Sequence, residues 1–402
     1  MRISLFFFSY LFFAVQQLNS QSVLLKEQVL RSVLRFQQEG LVDLPAKQLP
    51  SLRKSPSLSD TSWKSSPFFQ LAIQTAYALS IGKPIKPWFA YESISIAQEK
   101  VIYNRLESAL EKVQTPLEVD NYFASYRQPR SAKTRALFNT LVAKKKEFVK
   151  SPSRLLSDTI LWLEHAVGVY HWMDHWDFTR SIHVNVAAAE VELVEEDRTI
   201  LSMRAVVGKA ATPTPFFAAW AENIVLYPYW FVPLSIAVGE FLPKIKKDIT
   251  WLDRQNMQVL DRAGNVVDPT QLPWADFTAA YFPYTIRQST GCDNALGILK
   301  VDVKTPLGVY LHDTNNKASF LLSKRFLSHG CIRLEEPLQL GNYLLDKTLD
   351  TVFLQSCLLE QKPVQLSLKA AIPVLVFYTL VQPQQDGSVR YLQDTYQHFQ
   401  KK

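Results

Sequence analysis

The sequence predicts an α+β protein, helical in its N-terminal part and rich in strands after it. Three observations carry this. Ile94 to Val113 and Thr134 to Val149 repeat apolar residues at helical spacing among Lys, Arg, Glu and Gln. Ser181-Ile182-His183-Val184-Asn185-Val186 alternates polar and apolar residues, the period of a half-buried strand. Two turn signals, Glu195-Glu196-Asp197 and Asp386-Gly387, predict hairpins. The first joins Val191 to Val194 with Thr199 to Val207; the second joins Val374 to Val381 with Val389 to Leu392.

The elements follow in order. Met1-Arg2-Ile3-Ser4 precedes an apolar run from Leu5 to Val15 and a polar stretch ending at Ser20. One positive charge, a short apolar core and a small residue near its end are the parts of a secretory signal peptide. The run is shorter than the roughly 20 residues a membrane helix needs. Residues 1–20 are therefore expected to be cleaved, leaving an exported chain with no integral membrane segment. Residues 21–177 read as a helical region, with an irregular Ser-, Pro- and Lys-rich stretch from Leu49 to Ser66. Asp158 to Asp177 is a further helix carrying Trp162, Tyr170, Trp172 and Trp176. His171 and His175 stand four residues apart there, near His165 and Asp174, a spacing that can hold zinc on one helix face. No motif supplies a third ligand. The helix is read as an aromatic brace between two parts of the chain, and no metal is expected.

Strands begin near residue 178, and Ile224 to Phe231 reads as one of them. Glu240 to Tyr284 is a mixed segment with a helix near Asp248 to Gln255 and a turn at Ala263-Gly264-Asn265. Pro337 suits the first turn of a helix running through Leu345. Phe216 to Val238 and Ala370 to Val381 are apolar stretches. The first contains Glu222, Asn223, Pro228 and Pro233, and the second contains Pro373, so both read as buried strands and loops.

The chain carries 44 Lys and Arg against 37 Asp and Glu, a net +7, or +6 once Arg2 leaves with the signal. The excess is spread along the chain. Lys144-Lys145-Lys146 is the one tight run and reads as a solvated helix face. No nucleic-acid module appears, so no nucleic acid is expected as a partner. The three cysteines, Cys292, Cys331 and Cys357, leave at least one thiol unpaired in an exported protein. Cys331 is the natural free thiol. Cys292 and Cys357 are read as two buried thiols, with a disulfide between them as the alternative.

The chemistry gathers at Ser328-His329-Gly330-Cys331-Ile332-Arg333, with His312 standing 19 residues before Cys331. A thiolate is the nucleophile, and a free thiol is little ionised at neutral pH. A nearby imidazole can take its proton. Gly330, with no Cβ, lets the backbone approach a substrate carbonyl. Backbone N–H groups around Cys331 can hold the oxyanion that attack creates. His312 is assigned as general base and acid, roles suited to a pKa near working pH. His329 is expected to orient the site or add to the oxyanion hole, and Ser328 and Gly330 to shape the loop. Arg333 either holds a substrate carboxylate or pins the loop to a buried acid. Tyr310 and Trp230 are candidate cleft walls. Glu335 and Glu336 oppose the positive end of the Pro337 helix, which leaves activation of the thiol to His312.

His312-Asp313, with fifteen residues between His312 and the Ser328-His329-Gly330-Cys331-Ile332-Arg333 run, resembles the signature of the L,D-transpeptidase (YkuD-type) catalytic domain. Ser202 to Lys209, followed by Thr212-Pro213-Thr214-Pro215, resembles that family's early strands. Tyr227 to Pro233, Leu242-Pro243-Lys244-Ile245, Arg287-Gln288 and Asn294 to Gly297 resemble it as well. Gly308 to Thr314 leads into the motif as in the YcbB-like branch, and roughly residues 178 to 396 resemble that branch. The resemblance implies a mostly-β catalytic domain, a sandwich-like barrel of mixed strands, over residues 178–350. It also implies a capping subdomain at about 240–290, a helical scaffold-like region before the domain, and a closing hairpin and tail over 351–402. The small peptidoglycan-binding helix bundle of many members is not found.

The chemistry so implied is peptidoglycan cross-linking. Cys331 attacks the carbonyl of the third residue, a diamino acid, in a donor tetrapeptide. D-Alanine leaves, and the thioester is resolved by the side-chain amine of an acceptor stem. The implied partners are donor and acceptor stem peptides in the periplasm of a Gram-negative envelope. No cofactor is implied, and carbapenem-type acylating agents are expected inhibitors. Three rival readings stand beside it: an L,D-carboxypeptidase in which water resolves the same intermediate, a wall-associated scaffold with a degenerate site, and a zinc site of His312, His329 and Cys331.

Overall fold

The computed structural model describes residues 21–36, 63–81, 89–127, 129–174, 176, 178–356 and 361–399. The expected signal peptide, His175 and Cys357 lie outside the described residues. The N-terminal part is helical: residues 21–36, then Pro67–Ile81, Ile94–Leu110, Pro116–Arg127, Ala132–Lys150 and Arg154–Asp174. Ser131 caps the fifth of these by accepting a hydrogen bond from the Thr134 N–H. Leu106, Phe123, Leu137 and Leu163 lie in one buried cluster that also takes in Ala218, Leu375 and Phe377 from the strands.

The aromatic helix begins at Arg154 rather than Asp158. It braces the strands: Tyr170 packs edge-on against Phe377 at 5.7 Å, and His165 Nε2 lies 2.9 Å from the Tyr378 carbonyl. His171 Nε2 lies 2.8 Å from the Leu79 carbonyl, and Asp174 accepts from the Arg130 and Ser131 N–H groups. These side chains are engaged by backbone. Among the described residues no group of three or more His, Cys, Asp or Glu is placed to hold a metal.

The strands are β1 (Tyr91–Glu92), β2 (Arg180–Asn185), β3 (Glu190–Glu195), β4 (Arg198–Gly208) and β5 (Phe217–Leu226). Then come β6 (Trp230–Phe231), β7 (Met257–Leu260), β8 (Val266–Val267) and β9 (Thr285–Gln288). The order continues with β10 (Leu299–Lys304), β11 (Leu311–His312), β12 (Phe326–Ser328), β13 (Ile332–Leu334) and β14 (Val364–Phe377), and ends with β15 (Val381–Pro383) and β16 (Val389–Tyr391). The main sheet runs β5-β10-β11-β13-β4-β3-β2-β14, and β14 pairs again with β5, which closes a barrel. The pairs β11–β13 and β14–β2 are parallel, so this is the expected barrel of mixed strands. Its core holds Val184, Val207, Ile224, Val301, Leu311, Ile332 and Val374. Glu196 and Asp197 both have positive φ, as the tight turn from β3 to β4 requires.

Three expected elements differ. The strand over Ile224 to Phe231 is two strands: β5 ends at Leu226, the chain turns at Tyr227 with φ 50°, and β6 joins another sheet. Continuous aromatics hide this break in the sequence. Leu242-Pro243-Lys244-Ile245 is helical rather than extended, with Pro243 in the first turn of Leu242–Lys247. The closing hairpin is β15–β16, and Val374 belongs to β14, which starts at Val364. The first half of β14 is largely exposed, so apolar patterning does not mark it.

Strands β6, β9, β7 and β8 form their own sheet around Val232, Phe241, Leu252, Trp274 and Ile286. This unit is inserted between β5 and β10. Its helical run contains a five-residue π turn, Ala237–Phe241. The turn ends two residues before Pro243, whose missing N–H removes an ordinary helical bond. No helix among the described residues is long and apolar enough to cross a membrane.

Three buried imidazoles make a test, and burial holds the first, His165, down at about 4. Burial, then Lys133, holds His183 down at about 3; burial, then Arg333 and Lys300, holds His312 down at about 3. A folded pKa below the unfolded value of about 6.5 stabilises the fold above that pH, and the contribution is lost as pH falls from 6.5 toward 3. Between pH 7.5 and 5 the stability should fall by on the order of 2 kcal/mol per imidazole. Urea denaturation at the two pH values measures this, and His183→Gln should remove about a third of the drop. Equal midpoints at both pH values for the wild type would refute it.

Candidate active site

Strand alternation builds the site. In the parallel pair β11–β13, Leu311 stands opposite Ile332 and His312 opposite Arg333. In the antiparallel pair β10–β11, Val301 stands opposite Leu311 and Lys300 opposite His312. Val301, Leu311 and Ile332 are fully buried in the barrel core. Successive side chains point to opposite faces, so Lys300, Tyr310, His312, Cys331 and Arg333 share the outer face. The Ile332 N–H donates to the Tyr310 carbonyl at 3.1 Å, which sets Cys331 beside Tyr310. His312 stands opposite Arg333, two residues along the chain from Cys331. Trp230, at the start of the inserted unit, lies near the Tyr310 hydroxyl. Of the two residues, Tyr310 stands beside the thiol.

The Cys331 loop is fixed by its own polar groups. Ser328 Oγ donates to the Cys331 carbonyl at 2.6 Å and accepts from the Gly330 N–H at 3.1 Å. The Lys209 N–H and the Thr212 hydroxyl both donate to the Ser328 carbonyl, at 3.0 and 3.2 Å. Thr214 Oγ1 donates to the Gly330 carbonyl at 2.8 Å. Gly330 has φ 124°, and a Cβ added there would meet nothing nearer than Pro213 O at 3.8 Å. Glycine is needed here for its backbone angle, not for room.

The electrostatics depart from expectation. Cys331 is free and partly exposed. Desolvation pushes its thiol up, opposed by the Tyr310 N–H and hydroxyl and then by Lys300 and Arg333. His312 is 4% exposed and sits far below working pH, not near it. The resting pair is thus a neutral thiol and a neutral imidazole. His312 Nδ1 is buried with no hydrogen-bond partner among the described residues, an arrangement that costs about 1–3 kcal/mol unless something uses it. Burial lowers the Arg333 pKa, and no acid among the described residues pairs with its guanidinium.

His329 points away from the thiol. Its Nε2 lies 2.7 Å from Glu240 Oε1, in the π turn of the inserted unit, and 3.5 Å from Lys209 Nζ. It ties the Cys331 loop to that unit, which removes it from any zinc set with His312 and Cys331. Cys292 is exposed and disulfide-bonded, which corrects its reading as a buried thiol. Sequence reasoning missed Lys300, whose Nζ lies 2.8 Å from Asp302 Oδ1 and 4.4 Å from the Tyr310 ring centroid. The alternation Leu299-Lys300-Val301-Asp302-Val303 marks both charges as outward-facing. Only the register reveals what they face. Glu240 and Thr214 were missed for the same reason.

Replacing Lys300 removes a cation from the thiol. Lys300→Met should raise the Cys331 pKa further. The measurement is the pH dependence of iodoacetamide alkylation, with the label mapped to Cys331; an unmoved profile would exclude this role.

The YkuD family, described as the L,D-transpeptidase catalytic domain, matches residues 179–364. A Haemophilus influenzae protein provisionally named an L,D-transpeptidase is 32% identical over 221 residues, covering 55% of this chain and 45% of that protein. The chain thus spans less than half the length of this relative. Among solved structures, a cysteine-to-serine mutant of Enterococcus faecium L,D-transpeptidase is 14% identical over 50% of each chain, with a TM-score of 0.25. The Ldtfm–avibactam carbamoyl enzyme is 15% identical over 50% of each chain, with a TM-score of 0.26. The family match runs from just before β2 to the start of β14 and takes in both the inserted unit and the Cys331 loop. Residues 179–364 thus match the L,D-transpeptidase catalytic domain of the YkuD family.

Proposed function

We propose that this domain is a working peptidoglycan L,D-transpeptidase of the YcbB-like kind, with Cys331 as nucleophile and His312 as its proton acceptor. One observation carries the reading. The β11–β13 register sets a free thiol and an imidazole with an unpartnered Nδ1 on one face of the barrel. The insertion between β5 and β10 supports the capped branch.

In the first step the thiol proton passes to His312 as sulfur attacks the carbonyl carbon of the third stem residue. Because the resting thiol is neutral, attack and proton transfer are coupled. The Cys331 N–H has no acceptor among the described residues and is free to donate to the oxyanion. The bond to D-alanine breaks, and His312 returns its proton to the leaving amine. The acceptor's side-chain amine then attacks the thioester carbon. Its proton goes to His312 and on to the departing sulfur. Arg333 supplies an unpaired fork for a stem carboxylate, with Tyr310 and Trp230 as walls. The disulfide at Cys292 and the N-terminal apolar run both support an exported, periplasmic enzyme.

Purified protein incubated with tetrapeptide stems should yield cross-linked dimers and free D-alanine. Cys331→Ala should lower that rate by about 10³-fold or more, and His312→Gln by roughly 10²–10⁴-fold. Tripeptide without dimers would replace the transferase by a carboxypeptidase. No product from the wild type, with the Cys331→Ala protein behaving identically, would leave the scaffold reading.

A further inference from the structure

We propose that Tyr396 is a positioning residue for Cys331, acting through Thr214; the proposal rests on Cys331 being the nucleophile. Tyr396 lies beyond residue 364, outside the family match, in the segment after β16. Its hydroxyl donates to the Gly208 carbonyl at 2.5 Å and accepts from the Thr214 N–H at 3.1 Å. Thr214 Oγ1 in turn accepts from the Gly208 N–H at 2.8 Å and donates to the Gly330 carbonyl at 2.8 Å. Gly330 is held on its other side by Ser328 Oγ, which also bonds the Cys331 carbonyl. A continuous chain of hydrogen bonds therefore runs from the C-terminal segment to the backbone of the nucleophile.

This hydrogen-bonded chain has little slack. Thr214 and Ser328 are buried, at 1% and 2% exposure. A Cβ on Gly208 would lie 2.3 Å from Thr212 O and 2.5 Å from Thr214 N, so β4 and the Thr212–Thr214 turn are pressed together. The Tyr396 ring is clamped independently of its hydroxyl. It stacks on Tyr378 at 5.3 Å, 9° from coplanar, and meets Phe326 edge-on at 5.6 Å. The Tyr396 N–H donates to the Tyr378 hydroxyl, which donates to Asp394. The ring packing can thus survive loss of the hydroxyl. That loss leaves the Thr214 N–H and the Gly208 carbonyl without this partner, and it frees the Thr214 side chain that fixes Gly330. Small displacements of a reacting group cost rate steeply, so the effect belongs to the chemical step and not to substrate affinity.

The experiment uses the full chain, Tyr396→Phe and Thr214→Val, with imipenem as the acylating probe. Intact mass follows adduct formation at Cys331, and amide hydrogen exchange reports on residues 328–332. The maximal acylation rate of Tyr396→Phe should fall about tenfold, with the half-saturating imipenem concentration and the melting temperature close to wild type. Exchange over 328–332 should rise while the rest of the barrel keeps its protection. Thr214→Val should show the same split, and the double variant should lose no more than Thr214→Val alone, because both residues lie on one chain. Wild-type acylation or wild-type exchange in Tyr396→Phe overturns the proposal. If the wild type itself forms no adduct, the proposed function falls, and the exchange comparison alone decides the Tyr396 chain.

Discussion

The parallel pairing of β11 with β13 is the constraint from which the site follows. A one-residue slip in a strand exchanges its two faces. Here a slip would turn Tyr310 and His312 into the barrel and bring Leu311 out. The register is held by burial: Leu311, Ile332 and Leu334 are all fully enclosed, and exposing any one of them would cost about 1.5–3 kcal/mol. The core thus determines which side chains meet outside it. The thiol, the imidazole and two cations share a face because aliphatic residues alternate with them on three neighbouring strands.

Position along the sheet is only half of the requirement, because Cys331 lies just before β13 and not within it. Its backbone is set by the turn that enters the strand. There the polar groups are reciprocally satisfied, with Ser328 bonding both sides of Gly330 and the Thr212–Thr214 turn supplying further donors. Buried polar networks of this kind hold one geometry well when every member is paired. The inserted unit meets the loop more loosely. Its polar contact there, Glu240 with His329, lies between side chains that are over a third exposed, and such pairs contribute about 0.2–1 kcal/mol. The Cys331 backbone is fixed by buried bonds, while the inserted unit meets the loop through this exposed pair.

Much of this was legible in the sequence, for identifiable reasons. The Cys331 motif and its distance from His312 are local patterns, and the Pro337–Leu345 helix follows from a proline at its first turn. The β2 alternation and the β3–β4 turn are equally local. What was not legible depends on contacts far apart in the chain. The break between β5 and β6 hides in continuous aromatic residues, and the outer half of β14 lacks an apolar period because it is exposed. Lys300 looks like any outward strand lysine until the register sets it opposite His312. Glu240 and Tyr396 lie 89 and 182 residues from the groups they bond, and no local pattern could have paired them.

The same burial explains the feature least expected from the motif. Enclosing His312 and partly enclosing Cys331 moves the imidazole down and the thiol up, so each moves away from the charged form it was assigned. A preformed thiolate–imidazolium pair would need both shifts reversed, and Lys300 and Arg333 would stabilise only its anionic half. The neutral pair avoids placing an imidazolium among cations when no substrate is bound. The two cations begin to matter when negative charge develops on sulfur and then on the substrate oxygen, which is when fixed charges and donors contribute most to rate. On the proposed function, the desolvated face would hold the thiol neutral until a bound carbonyl gives its electrons a destination.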